Sequence, residues 1–286
     1  MDIKLGAHLS IAGGYHLALE RIKANGGNCL QIFSSSPRGW QMTTISDNEK
    51  QQFLKLKKQL QIDPVYFHAS YLVNLADNGR IGHLSKQSLI AELDVASRLE
   101  IRGSIVHLGS FKNNQSQNSK SQLNSKYQIL IKHIKEILRA TPKNTRFIIE
   151  NAGNRKIGQT IDEIATIIKD VSDERVRVCL DTCHLFSAGY ALTDKKKLDD
   201  FLQTFEFKIG LRKLELWHTN DSRDPLGTLR DRHENIGQGT IGLETFRLLL
   251  NHPSTKHLPF IIETPGFDKR GPDKKNIDIL KSLVYD

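Results

Sequence analysis

The chain has 286 residues, 38% of them hydrophobic and 26% charged, a length above the ordinary single domain but typical of one (β/α)8 barrel. A chain of this size folds without disulfides or structural metals, and no apolar run nears the roughly 20 residues that cross a bilayer, so a membrane partner is not expected. The formal charge of +9 suits a polyanionic partner, since basic residues on phosphates release counterions, but a solvated lysine-rich surface gives the same number.

Met1 leads straight into a strand at Ile3–Leu5. No basic stretch followed by an apolar core precedes it, so no secretory signal is expected. Three cysteines, two of them close together (Cys179, Cys183), give no disulfide framework and suit a reducing compartment; the expected location is cytoplasmic. Further short apolar runs follow at Cys29–Phe33, Val65–Phe67, Ser104–Val106, Arg146–Ile149, Val176–Leu180, Lys213–Trp217 and Pro259–Ile262. Continuous apolar character over so few residues is the mark of parallel strands buried on both faces. Between them lie amphipathic helical patterns at Tyr15–Lys23, Glu49–Leu60, Ser88–Leu99, Tyr127–Leu138, Ile161–Val171, Leu198–Phe205, Leu243–Leu250 and Asn276–Val284. Eight βα units predict an α/β fold closed into a (β/α)8 TIM barrel over residues 1–286, a single domain. The polar patch Lys112–Gln122 reads as a βα loop or a helix entry.

In such barrels the active site is built at the C-terminal ends of the strands. Here those ends carry His8, Phe33-Ser34, His68, His107, Glu150, Asp181, His218 and Glu263. Histidines and carboxylates are rarely left unpaired in an apolar barrel mouth. Asp181 with His184, and Asp231 with His233, add two local clusters, the second in a long loop that also holds Asn220, Asp221 and Ser222. Barrel closure would bring His68, His107, Glu150, Asp181, His184, His218, Asp231, His233 and Glu263 onto one face. Nine ligands exceed what one ion takes, and the imidazole–carboxylate mixture favours zinc or manganese in a cluster of two or three. A lone histidine at a strand end is more often a satisfied core residue, and convergence is what weighs against that explanation. His8 is intermediate. His16, His83, His133, His252 and His257 fall away from strand ends and are expected to be structural, as are the thiols of Cys29 and Cys179. Clustered ions on a basic protein suit in-line phosphodiester hydrolysis, which needs no side-chain nucleophile; no G-x-S-x-G elbow or P-loop is present.

Eight segments are specific enough to carry a family resemblance: GAHLSIAGG (Gly6–Gly14), HASYLVNL (His68–Leu75), VHLGS (Val106–Ser110), ENAG (Glu150–Gly153), CLDTCHLFSAGY (Cys179–Tyr190), HTNDS (His218–Ser222), DRHENIGQGTIG (Asp231–Gly242) and IETPG (Ile262–Gly266). In this order, and across nearly the whole chain, they closely resemble the endonuclease IV family of apurinic/apyrimidinic endonucleases. The resemblance implies three ions, usually zinc, with manganese as the alternative at individual positions. His68, His107 and Glu150 would hold the first; Glu150 would bridge to a second completed by Asp181, His218 and Glu263; His184, Asp231 and His233 would hold the third. It further implies that Glu150 is catalytic and that an activated hydroxide attacks the phosphate 5′ to an abasic sugar, leaving 3′-hydroxyl and 5′-deoxyribose phosphate ends. The substrate would be abasic duplex DNA, bent and with the abasic nucleotide flipped out. Apart from the resemblance, a monomer is expected, since a DNA-facing barrel mouth needs no second chain.

By the same resemblance Tyr71 and Leu72 form a wedge that enters DNA, whereas from the residues alone they would pack inside their loop. Arg38, with Trp40, is similarly placed for DNA contact in SSSPRGW (Ser34–Trp40). The chain departs from the family in AGNRKIGQT (Ala152–Thr160), where the family has a glycine-rich AGQG stretch, and in the tryptophan of WHTND; neither change removes a ligand. The rival is a metal-dependent sugar isomerase or epimerase of the same barrel superfamily. It would need fewer ligands and a pocket for a small neutral polyol.

Overall fold

The computed structural model describes residues 3–111 and 120–285. In chain order the first half runs β1 (Lys4–His8), α1 (Tyr15–Ala24), β2 (Cys29–Phe33), α2 (Asp47–Leu60), β3 (Val65–His68), α3 (Arg80–Arg98), β4 (Gly103–Val106), α4 (Lys120–Ala140), β5 (Arg146–Glu150) and α5 (Ile161–Val171). The second half runs β6 (Val176–Asp181), α6 (Thr182–Ser187), α7 (Lys195–Lys208), a 3-10 turn (Leu211–Lys213), β7 (Leu214–His218), β8 (Asp221–Ser222), β9 (His233–Glu234), α8 (Leu243–Asn251), β10 (Pro259–Ile262) and α9 (Lys274–Ser282). Eight of these strands close into a barrel in the order β1-β10-β7-β6-β5-β4-β3-β2, every neighbour parallel. This is the expected (β/α)8 architecture. Among the described residues no helix is long and apolar enough to cross a membrane.

Side-chain alternation sorts each strand. One parity faces outward against the helices, where Leu30, Phe67, Phe147, Val178, Trp217 and Phe260 join the large apolar core. The other faces inward, where Cys29, Tyr66, Ile105, Ile148, Cys179, Leu216 and Ile261 fill the barrel as a separate buried cluster. Gly6 completes that layer because a Cβ there would sit 2.2 Å from the Cys29 carbonyl oxygen, so β1 and β2 approach too closely for a side chain. Both barrel cysteines are thus packing residues, as expected.

Three local features differ from the sequence expectation. α3 starts at Arg80 rather than Ser88, because the Asp77 carboxylate accepts the N–H of Gly79 (2.9 Å) and of Gly82 (3.0 Å) and organises the first turn ahead of the apolar periodicity. α6 has six residues, too few for a periodic signal, and is set by the Asp181 carboxylate capping the His184 N–H at 2.9 Å. The two-residue ladder of β8 and β9 is also too short to read. Of the polar patch Lys112–Gln122, residues 112–119 lie outside the described residues, and α4 begins at Lys120.

One buried acid stands apart from the barrel mouth. Glu92, on α3 and 3% exposed, accepts hydrogen bonds from the Ser34 and Ser104 hydroxyls against the barrel wall. Burial pushes its carboxyl from 4.5 up to about 7, with the two hydroxyls opposing. Between those values the folded chain keeps a proton that the unfolded chain releases. This contribution therefore falls as pH rises through the window and levels off above it. Glu92→Gln is expected to remove that slope and to unfold at higher urea than the parent above neutral pH, by about 1–3 kcal/mol. Parallel slopes for the two proteins would show that Glu92 titrates normally.

Candidate metal centre

Two residues beyond each member of the barrel's inner layer, the same inward parity recurs at the mouth. There it carries His8, Gln31, His68, His107, Glu150, Asp181, His218 and Glu263, one per strand in the order β1 to β7 and then β10. The second strand therefore contributes Gln31 to this ring rather than the expected Phe33-Ser34. Phe33 stands one step higher, lining the cavity, and Ser34 has the outward parity and turns to Glu92.

Glu150, fully buried, stands at the centre. Its Oε2 lies 3.1 Å from His68 Nε2 and 3.2 Å from His107 Nε2, and its Oε1 lies 3.0 Å from His218 Nδ1. His218 Nδ1 also faces Glu263 Oε2 at 3.4 Å and Asp181 Oδ2 at 3.8 Å. Outside this floor, His184 Nε2 meets Asp231 Oδ1 at 3.0 Å, and His233 Nε2 lies 3.5 Å from Asp231 and 3.6 Å from Asp181. Donor atoms fall into sets small enough for one ion each: His68, His107 and Glu150; Glu150, Asp181, His218 and Glu263; and Asp181, His184 and His233, all within 4.8 Å of one another. Asp181 thus reaches two sets, where the resemblance gave a bridging place to Glu150 alone. Cys183 also comes within that distance of Asp231 and His233, yet burial and the Asp181 carboxylate push its thiol up, away from the thiolate a metal takes.

The donor chemistry fits cations. His68, His184 and His233 each place Nδ1 on a backbone carbonyl, of Ala69 (2.8 Å), Asn151 (2.9 Å) and Glu263 (3.3 Å). A carbonyl only accepts, so the hydrogen sits on Nδ1 and the Nε2 lone pair points at a carboxylate. Two lone pairs facing each other at 3.0–3.6 Å call for a cation or a proton between them. His233 Nε2 is buried with no hydrogen-bond partner among the described residues. The protonation tendencies tell the same story. Burial works to raise Glu150, but His107 and His218 outweigh it and hold the carboxyl well below its usual range. Burial works against protonating His184, yet Asp181, Asp231 and Glu150 carry it to about 10. Asp231 falls to about 2, the His184 and His233 rings outweighing its burial. His107 is the exception: burial, with His184 and His68 adding to it, drops it to about 4 against the pull of Glu150.

Several supports were not foreseen as such. Asn220 donates to Asp181 Oδ2 (2.6 Å) and accepts the Glu263 N–H (2.7 Å), tying two strand ends together. Asp221 turns away from the cluster and accepts the N–H groups of Ser222, Gly237, Gly239 and Ile241 at 2.8–3.1 Å, folding the Asp231–His233 loop back onto the barrel. Gly239 permits this approach, since a Cβ there would meet Asp221 Oδ1 at 2.4 Å. The altered loop after Glu150 is also tied down, with Gly158 and Gln159 N–H on the Glu163 carboxylate.

Above the ring opens a cavity of about 610 Å³, lined by His68, His107, His184, Asp231, His233 and Glu263 and walled by Phe33, Tyr71 and the Arg270–Pro272 turn. Tyr71 is 64% exposed and Leu72 37%, so they do not pack inside their loop. The Ser70 hydroxyl donates to the Pro37 carbonyl at 2.8 Å, which joins this loop to the one presenting the exposed Arg38; Trp40 is half-buried. Among the histidines set aside, His133 Nδ1 donates to the Leu75 carbonyl (3.0 Å) and His252 pairs with Asp199, and neither belongs to the ring.

The closed parallel eight-stranded barrel accords with the xylose isomerase-like TIM barrel family, whose model matches residues 19–283. The probable endonuclease 4 of Sulfurihydrogenibium sp. (strain YO3AOP1) is 36% identical over 287 residues, 99% of each chain. That of Persephonella marina is 36% identical over 289 residues, 99% of this chain and 97% of its own. The crystal structure of endonuclease IV from Thermus thermophilus superposes with a TM-score of 0.84 at 31% identity, covering 98% of both chains. Within that barrel class, the chain belongs to the endonuclease 4 family.

Asp221→Ala is expected to cost about 2–4 kcal/mol, because four backbone donors lose one buried acceptor. The matching signature is faster amide exchange at Gly237, Gly239 and Ile241 with the barrel strands still protected; unchanged exchange there would refute the tether.

Proposed function

We propose that residues 1–286 form one catalytic domain that acts, as a monomer, as a metal-dependent DNA-repair endonuclease at abasic sites. It hydrolyses the phosphodiester bond 5′ to the abasic sugar and leaves a 3′-hydroxyl and a 5′-deoxyribose phosphate. The observation that carries this reading is the convergence of all nine candidate ligands on one barrel mouth in a chain of the endonuclease 4 family. His68, His107 and Glu150 would hold one ion. Glu150, Asp181, His218 and Glu263 would hold a second, and His184, Asp231 and His233, with Asp181 at their edge, a third. Zinc suits this nitrogen and oxygen set, with manganese as the alternative at individual positions. Divalent ions in such a cluster supply Lewis acidity to the phosphoryl oxygens and a strong nucleophile from water at neutral pH.

The chain's own residues account for the rest. Glu150 is the catalytic carboxylate, because its two oxygens face histidines of two sets and so fix their separation. Tyr71 and Leu72, exposed at the cavity rim, are suited to wedge between base steps, and Arg38 beside them to hold a phosphate. The cavity is large enough for a sugar phosphate, and an abasic nucleotide costs little stacking to swing into it. The +9 charge strengthens the hold on any duplex, and weakens it as salt rises.

A duplex with a single tetrahydrofuran abasic analogue, which cannot undergo β-elimination, tests the reading. Expected are incision to a 3′-hydroxyl, its loss on chelation, and a drop on the order of 100-fold or more in Glu150→Gln or Asp181→Asn. Tyr71→Ala with Leu72→Ala is expected to cost about 1–3 kcal/mol in kcat/KM through weaker substrate binding. A fully metallated sample that leaves the analogue intact overturns the proposal and favours sugar isomerase chemistry.

A further inference from the structure

Seven members of the ring at the barrel mouth are histidines or carboxylates, and the eighth is Gln31. Its side chain is completely buried and spans three others. Gln31 Nε2 donates to Glu263 Oε1 at 2.6 Å and lies 2.9 Å from His8 Nδ1, while Gln31 Oε1 meets His218 Nε2 at 2.6 Å. A carboxylate only accepts, so the amide nitrogen must be the end at Glu263 and the amide oxygen the end at His218. An amide oxygen in turn only accepts, so the hydrogen of neutral His218 sits on Nε2. The Nδ1 lone pair is then left facing Glu150, Asp181 and Glu263.

His218 is thereby the reverse of its neighbours. His68, His184 and His233 place their Nδ1–H on backbone carbonyls and present Nε2, whereas His218 presents Nδ1 and is held by a side chain. We propose that Gln31 is a positioning residue, whose amide fixes the His218 tautomer with one end and the Glu263 carboxylate with the other, setting the affinity of the ion they share. The task needs unlike ends at a fixed span. A carboxylate at position 31 would confront Glu263, an aliphatic side chain would offer neither bond, and asparagine would fall short. This inference rests on the reading that His218 and Glu263 hold a metal.

The test uses the full-length protein and its Gln31→Leu and Gln31→Met variants, the second preserving length and volume in case the first does not fold. Zinc content and affinity are followed by elemental analysis against a chelator series, and the His218 tautomer by long-range proton–nitrogen spectra of the imidazole rings. Expected is a 10–100-fold loss of affinity at one site only, with the His218 Nε2–H tautomer dominant in the parent and lost in the variants. Unchanged affinity and tautomer in a folded variant overturn the role of Gln31 while leaving the metal centre standing. A parent protein that takes up zinc without involving His218 overturns the reading beneath it as well.

Discussion

Closure of eight parallel strands forces their inward side chains into rings, and the period of two along each strand fixes which residues share a ring. In this chain the lower ring is apolar and the one above it is polar throughout. Everything at the mouth depends on that step. It brings seven titratable groups from points as far apart in sequence as His8 and Glu263 to hydrogen-bonding distance. It also does so on strands whose register the sheet holds, so the donor atoms of the ring keep fixed places relative to one another. Carboxylates packed this closely repel one another unless imidazoles or cations stand between them, and the strand register together with the Asn220 and Gln31 amides holds them in place.

Much of this was legible in the chain itself. The strands announce themselves because parallel strands buried on both faces must be apolar along their length, and the residue that breaks each run is the one at the mouth. His68, Glu150, Asp181 and His218 were found in that way, and each proves to be the last residue of its strand. Gln31 was overlooked because β2 stays apolar beyond it, through Ile32 and Phe33, so no break in the run marks the ring position. The two-residue step from Cys29 would have found it. Asn220 and Asp221 could be picked out as a pair, but their division of labour could not: it depends on a loop returning from Gly237 to Ile241, which no local pattern encodes. The exposure of Tyr71 and Leu72 followed from the family resemblance and not from the residues alone, since an aromatic–aliphatic pair reads the same whether it packs inward or outward.

The supporting contacts differ in how replaceable they are. Where a ring nitrogen rests on the carbonyl of Ala69 or Asn151, no substitution at the partner can remove the acceptor, because every residue has one. Where it rests on Gln31, a single codon change suffices. Two members of the same centre are therefore held by means of very different durability.

The Asp221 tether has a further consequence. The donors of the barrel floor belong to the sheet, while Asp231 and His233 belong to a detour between β8 and α8 that the Asp221 carboxylate holds together with the short β8–β9 ladder and the Arg232–Asp224 pair. The centre is in that sense modular: a base carried by the sheet and an outer leaf carried by a loop. Opening the leaf would release two donors together and leave the base intact. Variation in the length or composition of that detour is thus free to retune the outermost position while the eight-stranded frame stays as it is.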